Sequence, residues 1–600
     1  MTRDSGWVAG PPRAEYERRL ASWRARIEAL DRANLLISNT RLAIAAAGAV
    51  LLWQAFVRAR ISPWWPIGAW SAFAALAVYH ALMLQRSERA RRAADVYDRG
   101  LERLAHRWMG SGRDGARFLD DHPYARDLDL FGRGSLFERL NTARTEVGEA
   151  TLADWLSAGA PSAEVRARQD AVRELRPMLD FREDLAVLAA ESPIGRTGTL
   201  AAWAASPPRN FPRALGPGLA LAGALTVALA DLSYFAAVDL GWFVGWILVE
   251  SSIAWIWRER FDRVLHAIDT PERDLALLSS VLERIERESF SSARLAELRQ
   301  TLTMGGSPPS RRIARLRSMV GWSDSTHNLL FAPIAHVLLV KPHVAVAIDR
   351  WHRANGPAIS EWLRIVGEIE ALSALAAYAF DRPQDPFPEI VDAGPMFDGD
   401  GVAHPLIPDM VSVPNDVQLG GAGPRGAVIS GSNMSGKSTL LRTVGVNTVL
   451  GLAGAPVRAM RLRLSPLVIG ATLRIDDSLQ EGHSRFYTEI LRIRGIVDAA
   501  RGPVPLLFLL DEILHGTNSH DRRIGAEAIV RALVNLGAIG LVTTHDLALT
   551  ELPARLDSVV NMHFEDRLDN GRMVFDYRMR PGVVEHSNAL ALMRAVGLDV

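Results

Sequence analysis

A single eight-residue loop, Gly431-Ser432-Asn433-Met434-Ser435-Gly436-Lys437-Ser438, dictates how the C-terminal third of this 600-residue chain must fold. The apolar run Ala427-Val428-Ile429-Ser430 precedes it, and a helical pattern starts at Thr439. The pattern G-x-x-x-x-G-K-[ST] between a strand and a helix is built to hold phosphate. Gly431 and Gly436 permit backbone angles and close approach that a Cβ would block. Successive amides and the helix N-terminus can then face an anion. Lys437 brings a compact positive charge to the β and γ oxygens, and the Ser438 hydroxyl ligates Mg²⁺. The only lysines in the chain are Lys341 and Lys437, and every other fixed side-chain cation is arginine. The loop is where a point charge rather than a planar fork is chemically required.

The partner of such a loop is an apolar strand that ends in acids. Pro505-Leu506-Leu507-Phe508-Leu509-Leu510 leads into Asp511-Glu512. Asp511 is placed to hold Mg²⁺ directly or through water. Glu512 is placed to orient or deprotonate an attacking water. A third run, Gly540-Leu541-Val542-Thr543-Thr544, ends at His545, where an imidazole can touch a γ-phosphate and report its loss. Pro383, Pro386 and Pro388 mark a linker, and after Gly394 short Val/Ile/Leu runs alternate with helical patterns. That alternation predicts a parallel-sheet α/β domain.

Four charge-poor runs lie upstream. Residues 42–57 and 64–84 hold no Asp, Glu, Lys or Arg, residues 214–230 are apolar and Gly-rich, and residues 240–257 are apolar except for Glu250. A helix over 64–84 rises about 31 Å and one over 42–57 about 24 Å, against a hydrocarbon core of about 30 Å. Trp53, Trp64, Trp65 and Trp70 sit near the run ends, as interfacial aromatics do. Arg41, Arg86, Arg89, Arg91 and Arg92 flank the first pair, and Arg213, Arg258 and Arg260 the second. The link inside the second pair carries Asp231 and Asp239 instead. This asymmetry predicts two hairpins in an inner (cytoplasmic) membrane, touching lipid through four helices, with everything after Arg258 in the cytoplasm. The rival reading is a pair of buried helical hairpins in a soluble core. Glu250 is costly in lipid and is expected to face a partner helix. The polar segment before residue 42 is not a signal-peptide layout.

Composition narrows the field further. The chain is 48% apolar and 23% charged, a globular balance. Lys+Arg and Asp+Glu are 68 each, which excludes a uniformly basic nucleic-acid coat but not a local basic face. Cysteine is absent, so disulfides, thiolate metal sites and a Cys nucleophile are excluded. Residues 86–210 and 261–377 read as helices, with heptad-like apolar positions such as Leu275, Leu278, Val281, Leu282 and Ile285.

Taken together, the motifs resemble the ATPase domain of the MutS mismatch-repair family, an ABC-type ATPase. Asn433-Met434 inside the loop, continued by Ser435-Gly436-Lys437-Ser438-Thr439-Leu440-Leu441-Arg442, is distinctive of that family's loop. Asp476-Asp477-Ser478-Leu479, Glu481-Gly482-His483-Ser484-Arg485-Phe486 and Glu489 resemble its next motif. Asp511-Glu512-Ile513-Leu514-His515-Gly516-Thr517-Asn518-Ser519-His520-Asp521 resembles its acidic strand end and the loop after it, and Thr544-His545 its switch histidine. Gly134-Ser135-Leu136-Phe137-Glu138-Arg139-Leu140-Asn141, then Thr145, Gly148, Leu152, Trp155-Leu156 and Arg168-Gln169-Asp170-Ala171-Val172, resemble the start of its helical core.

The resemblance implies ATP and Mg²⁺ as ligands, and a homodimer with composite sites in which Ser484 reaches the nucleotide of the other subunit. It also implies DNA as partner, and Tyr577 as an adenine-contacting ring. A second adenine-contacting aromatic of the family falls near Met410, where this chain has none. Two further departures stand out. The family reads mismatches with a Phe-x-Glu wedge, and the N-terminal Phe181-Arg182-Glu183 lies in a helical run. Too few residues precede the core to hold the reading domain, and the DNA-clamp insertion is absent or short between Arg299 and Arg315.

The expected fold class is an α/β P-loop NTPase domain (ABC-type, MutS-like) on an all-α core, with two transmembrane helical hairpins. The expected divisions are an N-terminal helix at 1–41, hairpins at 42–85 and 211–258, helical core at 86–210 and 259–382, and the ATPase domain at 383–600. The expected function is an ATP-hydrolysing protein of the DNA mismatch-repair type, binding mismatched or distorted DNA at the membrane. The alternative is a MutS-derived membrane ATPase that does not read mismatches and acts on another DNA structure or protein. An ABC-type transporter would carry a Leu-Ser-Gly-Gly-Gln-like motif, which this sequence does not.

Overall fold

The computed structural model describes residues 11–119, 122–190, 197–235, 237–304, 306–325, 332–432, 434–474, 485–514, 518–545, 547–569 and 572–584. The chain divides into two compact units. One comprises Met1–Thr142, Thr151–Leu179 and Leu372–Val600, the other Ala143–Ala150 and Asp180–Ala371.

The first unit opens with two long helices, Pro12–Phe56 and Trp64–Leu104. The divisions expected at residues 41/42 and 85/86 fall inside these helices, and the one at 258/259 falls inside Leu240–Arg287 of the second unit. The reason is physical. Arg, Glu, Ala and Leu all favour helix, so a switch from charged to apolar sequence changes what a helix touches without ending it. Proline sets the starts: Pro12 occupies the first helical position, and Pro63 precedes Trp64. The charged ends of this pair pack on protein. Tyr16, Leu20 and Tyr97 cluster with Leu179 and Phe380. The Tyr16 hydroxyl and Arg103 Nε both donate to the buried Asp381 carboxylate at 2.8 Å. The apolar stretches do not pack this way: within their most apolar 18-residue windows only 6% and 11% of residues are buried.

In the second unit Leu215–Tyr234 and Leu240–Arg287 form another helical pair, the latter capped by Asp239, which accepts from Gly241 N at 2.7 Å. Their apolar windows are 11% and 6% buried. Among the described residues these four helices are long and apolar enough to cross a membrane, by length and composition. Further along, the second helix of this pair becomes a packed rod, with Leu275, Leu278, Val281, Leu282 and Ile285 buried at the heptad-like positions. Ala293–Thr303 and Pro309–Ser325 follow, separated only by residues 304–308. Phe181 lies on the Leu179–Ala189 helix, 1% exposed and edge-on to Phe290.

The α/β part belongs to the first unit. Among the described residues its strands are β1 (Glu389–Ile390), β2 (Met396–Val402), β3 (Asn415–Gly420), β4 (Gly426–Ser430), β5 (Arg461–Leu464), β6 (Val468–Thr472), β7 (Leu506–Asp511), β8 (Ile539–Thr544), β9 (Val559–Asp569) and β10 (Arg572–Pro581). β1-β5-β2-β3 form a mixed sheet. The larger sheet runs β10-β9-β4-β8-β7-β6, parallel except for β10 at the edge. β8 sits between β4 and β7, with Ser430 opposite Thr544 and Asp511 opposite Thr543. Within this sheet the chain must therefore leave β4, reach β6 at the far edge and step back through β7 to β8. That opens a crevice beyond the carboxyl ends, where such sheets bind ligands.

One contact ties an early segment to this sheet. The buried Asp127 carboxylate accepts from Leu473 N at 2.8 Å and Arg474 N at 2.6 Å, just past β6, and lies 3.4 Å from Arg492. Its carbonyl accepts from Arg442 Nε at 3.0 Å, on the helix Lys437–Ala453 that follows β4. Asp127→Ala leaves two part-buried amides without their acceptor and is expected to destabilise this unit by about 2 kcal/mol. A thermal melt of the detergent-solubilised protein checks this, and an unchanged Tm contradicts it.

Candidate functional site

Every residue of β4 is buried, which fixes where the loop after it begins. Gly436 caps the Lys437–Ala453 helix at φ +102°, in the left-handed region, and a Cβ there would stand 3.1 Å from the Tyr577 ring. Both facts demand glycine. Met434 also has a positive φ, +70°, and its side chain points into solvent. Lys437 is 5% exposed and bends back over the loop, donating from Nζ to Gly431 O at 2.8 Å and Ser432 O at 2.7 Å. Burial pulls its ammonium below the usual lysine range, while Glu512 and Asp511 push it back up.

The acids close the site from β7. Asp511 Oδ1 accepts from the Thr543 hydroxyl on the neighbouring strand. Glu512 has φ +45°, a strained backbone of the kind found at functional sites, held by its amide donating to Thr543 Oγ1 at 3.1 Å. Its Oε1 lies 4.0 Å from Lys437 Nζ and 3.6 Å from His545 Nδ1. Lys437, at the start of the helix after β4, and His545, just past β8, thus both lie close to Glu512 at the end of β7. Two residues beyond Glu512, Leu514 N donates to the buried Glu489 carboxylate at 2.6 Å.

Lys437 and Glu512 line one end of a cavity of about 490 Å³, whose lining does not include His545. Ser438, Thr439, Lys437 and Glu512 form its polar end, and Val402, Ile407, Val411 and Tyr577 its apolar wall. Tyr577, φ +56°, is held through Asn415, whose amide donates to Tyr577 O at 3.0 Å. Met410 is 99% exposed and is not part of the wall. Asp511 does not line the cavity either.

Do the residues fit a nucleoside triphosphate and its magnesium? Ser432 Oγ and Ser435 Oγ are buried and make no hydrogen bond among the described residues. No side chain caps the Lys437–Ala453 helix. Orphaned hydroxyls and free first-turn amides around a buried ammonium fit a phosphate chain. Asn433 and Ser484 lie outside the described residues, as do residues 475–483 and 515–517 of the motif segments. Asn518 is described, and its side chain caps Ser519–Asn535 by accepting from Asp521 N.

His404 was not singled out by any sequence pattern. It lines the cavity, 8% exposed, with Nδ1 accepting from Leu406 N at 3.3 Å. Burial, aided by Arg442, holds its imidazole down at about 4. A histidine neutral in the fold and ordinary when unfolded contributes its full share above pH 6.5. That share is lost as pH falls toward 4, for a total of about 3 kcal/mol. The Tm should drop between pH 7.5 and 4.5, and drop less in His404→Gln. Equal drops in both proteins contradict this assignment.

Residues 427–599 match the family described as MutS domain V. The chain is 34% identical over 268 residues to the DNA mismatch repair protein MutS of Natronomonas pharaonis, covering 43% of this chain and 29% of that protein. It is 35% identical over 239 residues to the DNA mismatch repair protein MutS 1 of Halobacterium salinarum, covering 39% and 27%. Against the DNA mismatch repair protein MutS of Brevibacillus brevis it is 30% identical over 237 residues, covering 38% and 27%. The chain thus spans under a third of the length of these relatives. The matched region, which holds the loop, the acidic strand end and most of the parallel sheet described above, is thus similar to MutS domain V.

Proposed function

We propose that this protein is a membrane-anchored MutS-type ATPase that works as a dimer. The observation that carries the reading is the meeting of Lys437 and Glu512 at the polar end of a cavity of about 490 Å³, with His545 behind them 3.6 Å from Glu512. The loop amides and Gly431, Ser432, Asn433, Met434, Ser435, Gly436 and Thr439 cradle the phosphates. Lys437 neutralises the β and γ oxygens, Tyr577 flanks the base, and Ser438 and Asp511 hold Mg²⁺. When bound, Mg²⁺ supplies charge neutralisation as the terminal phosphoryl group leaves. Glu512 orients a water and takes its proton, and His545, beside it, registers whether the γ position is filled. Ser484 of one subunit completes the site of the other, so ATP favours the dimer.

Membrane attachment rests on a second observation. Leu36, Leu42, Trp64, Trp65, Leu221, Trp242 and Ile256 are each 65% exposed or more. Apolar surface of this extent is unfavourable in water and stable in lipid. The protein should stay with membranes through high-salt and carbonate washes and be released by detergent. Release by either wash contradicts the anchor.

The relatives are DNA mismatch repair proteins by name, and DNA is the first expected partner. A reading without mismatch recognition is favoured by Phe181, which is locked inside a helical core and unavailable as a wedge. Binding of the solubilised dimer to matched and mismatched duplexes across a salt series separates the two. A preference for the mismatch supports repair-type reading. Equal affinities, or no binding, support the alternative.

A further inference from the structure

The helical pair Leu215–Tyr234 and Leu240–Arg287 lines a feature that nucleotide chemistry does not use, open on the side where Leu221, Leu225 and Ile253 are exposed. Between them lies a cavity of about 450 Å³. Its wall is almost wholly hydrocarbon, including Leu215, Leu219, Leu225, Ile253 and Leu339. One carboxyl group, Glu250, lines it and is 2% exposed. A carboxylate in such surroundings is costly unless paired. Its Oε1 accepts from the buried Thr226 hydroxyl at 2.6 Å, and Trp246 Nε1 in turn donates to Thr226 Oγ1 at 3.0 Å. No Arg, Lys or His forms an ion pair with Glu250 among the described residues. The trio is thus built and oriented, and among the described residues no cation stands against its carboxyl group.

We infer that this cavity is a binding site for a lipophilic organic cation, an amine with an apolar body, whose ammonium pairs with Glu250. Three features point to that chemistry. The wall suits an apolar body of small-molecule size. The single buried acid selects positive charge. Trp246 lines the same cavity and offers an electron-rich ring beside the acid. Gly218 keeps the wall open, since a Cβ built there meets nothing within 4 Å. A neutral lipid chain would fill the hydrocarbon but leave the acid unpaired. The site follows from this geometry alone and stands whether or not the ATPase reading holds.

The test uses the full-length protein in detergent, with dansylcadaverine as the amine probe and its N-acetyl derivative as the neutral control, each corrected for protein-free micelles. Wild type should bind the amine saturably, with dansyl fluorescence rising as the ring enters hydrocarbon. Glu250→Gln should weaken the amine by about tenfold or more and leave the acetylated probe unchanged. Gly218→Leu fills the cavity without touching the Glu250–Thr226 bond and should reduce binding of both probes. Equal affinity of wild type for the two probes overturns the proposal. So does undiminished amine binding in Glu250→Gln or in Gly218→Leu.

Discussion

Lys437→Ala lowers Mg²⁺-dependent ATP turnover by about a hundredfold or more, the scale seen when a charge-stabilising donor is removed from a reacting oxyanion. The size of the effect follows from where the ammonium sits. Lys437 Nζ is buried, holds Gly431 O and Ser432 O, and lies 4.0 Å from Glu512. Truncation removes a buried positive charge from the polar end of the cavity and also the tether that joins it to Gly431 O and Ser432 O. Glu512 is left without its cationic neighbour, so nucleotide affinity falls together with rate. Lys437→Arg keeps the charge but replaces a point donor with a planar fork, and activity should stay low. Steady-state phosphate release by the solubilised protein checks both variants. Turnover within about twofold of wild type for Lys437→Ala would remove the loop from the mechanism.

Glu512→Gln separates binding from chemistry. The side chain keeps its shape, and the amide that donates to Thr543 is untouched. Only the capacity to accept a proton is lost. General-base catalysis contributes about 10²- to 10⁴-fold, so turnover should fall by that range while ATP affinity changes little. Under the dimer reading, the ATP-bound dimer should also live longer, because the step that resets it is stalled. Single-turnover kinetics beside equilibrium ATP binding give the two numbers. A parallel loss of affinity would make Glu512 a binding residue, and wild-type turnover would reject its role as base.

Much of the site is legible in the sequence because its parts are local. Gly431, Gly436, Lys437 and Ser438 need only a strand before them and a helix after. Asp511 and Glu512 need only an apolar strand that stops, and His545 needs only the end of the next one. The parallel sheet then brings those ends together, with Asp511 opposite Thr543 and Ser430 opposite Thr544. What is not legible is carried by contacts distant in sequence. Asp127 secures the end of β6 across a separation of more than 300 residues. Asn415 positions Tyr577 from another strand. Thr543 supports both acids through a hydroxyl that reads, in one dimension, as an ordinary strand residue.

The divisions of the chain behave the same way. Apolar runs stand out by composition, but helices continue through their edges because propensity does not change there. The compact unit that holds the α/β part also gathers residues 1–142 and 151–179, an arrangement no linear scan of linkers predicts. His404 is an instance at the level of one side chain. Its depressed pKa comes from burial and from Arg442, a residue 38 positions away on the helix after the loop.

ATP binding to the detergent-solubilised full chain, measured by equilibrium titration with and without Mg²⁺, bears most directly on all of this. Saturable, Mg²⁺-strengthened binding by wild type that is lost in Lys437→Ala is the predicted result. Binding that is absent in wild type, or that survives unchanged in the variant, would contradict the account at its base.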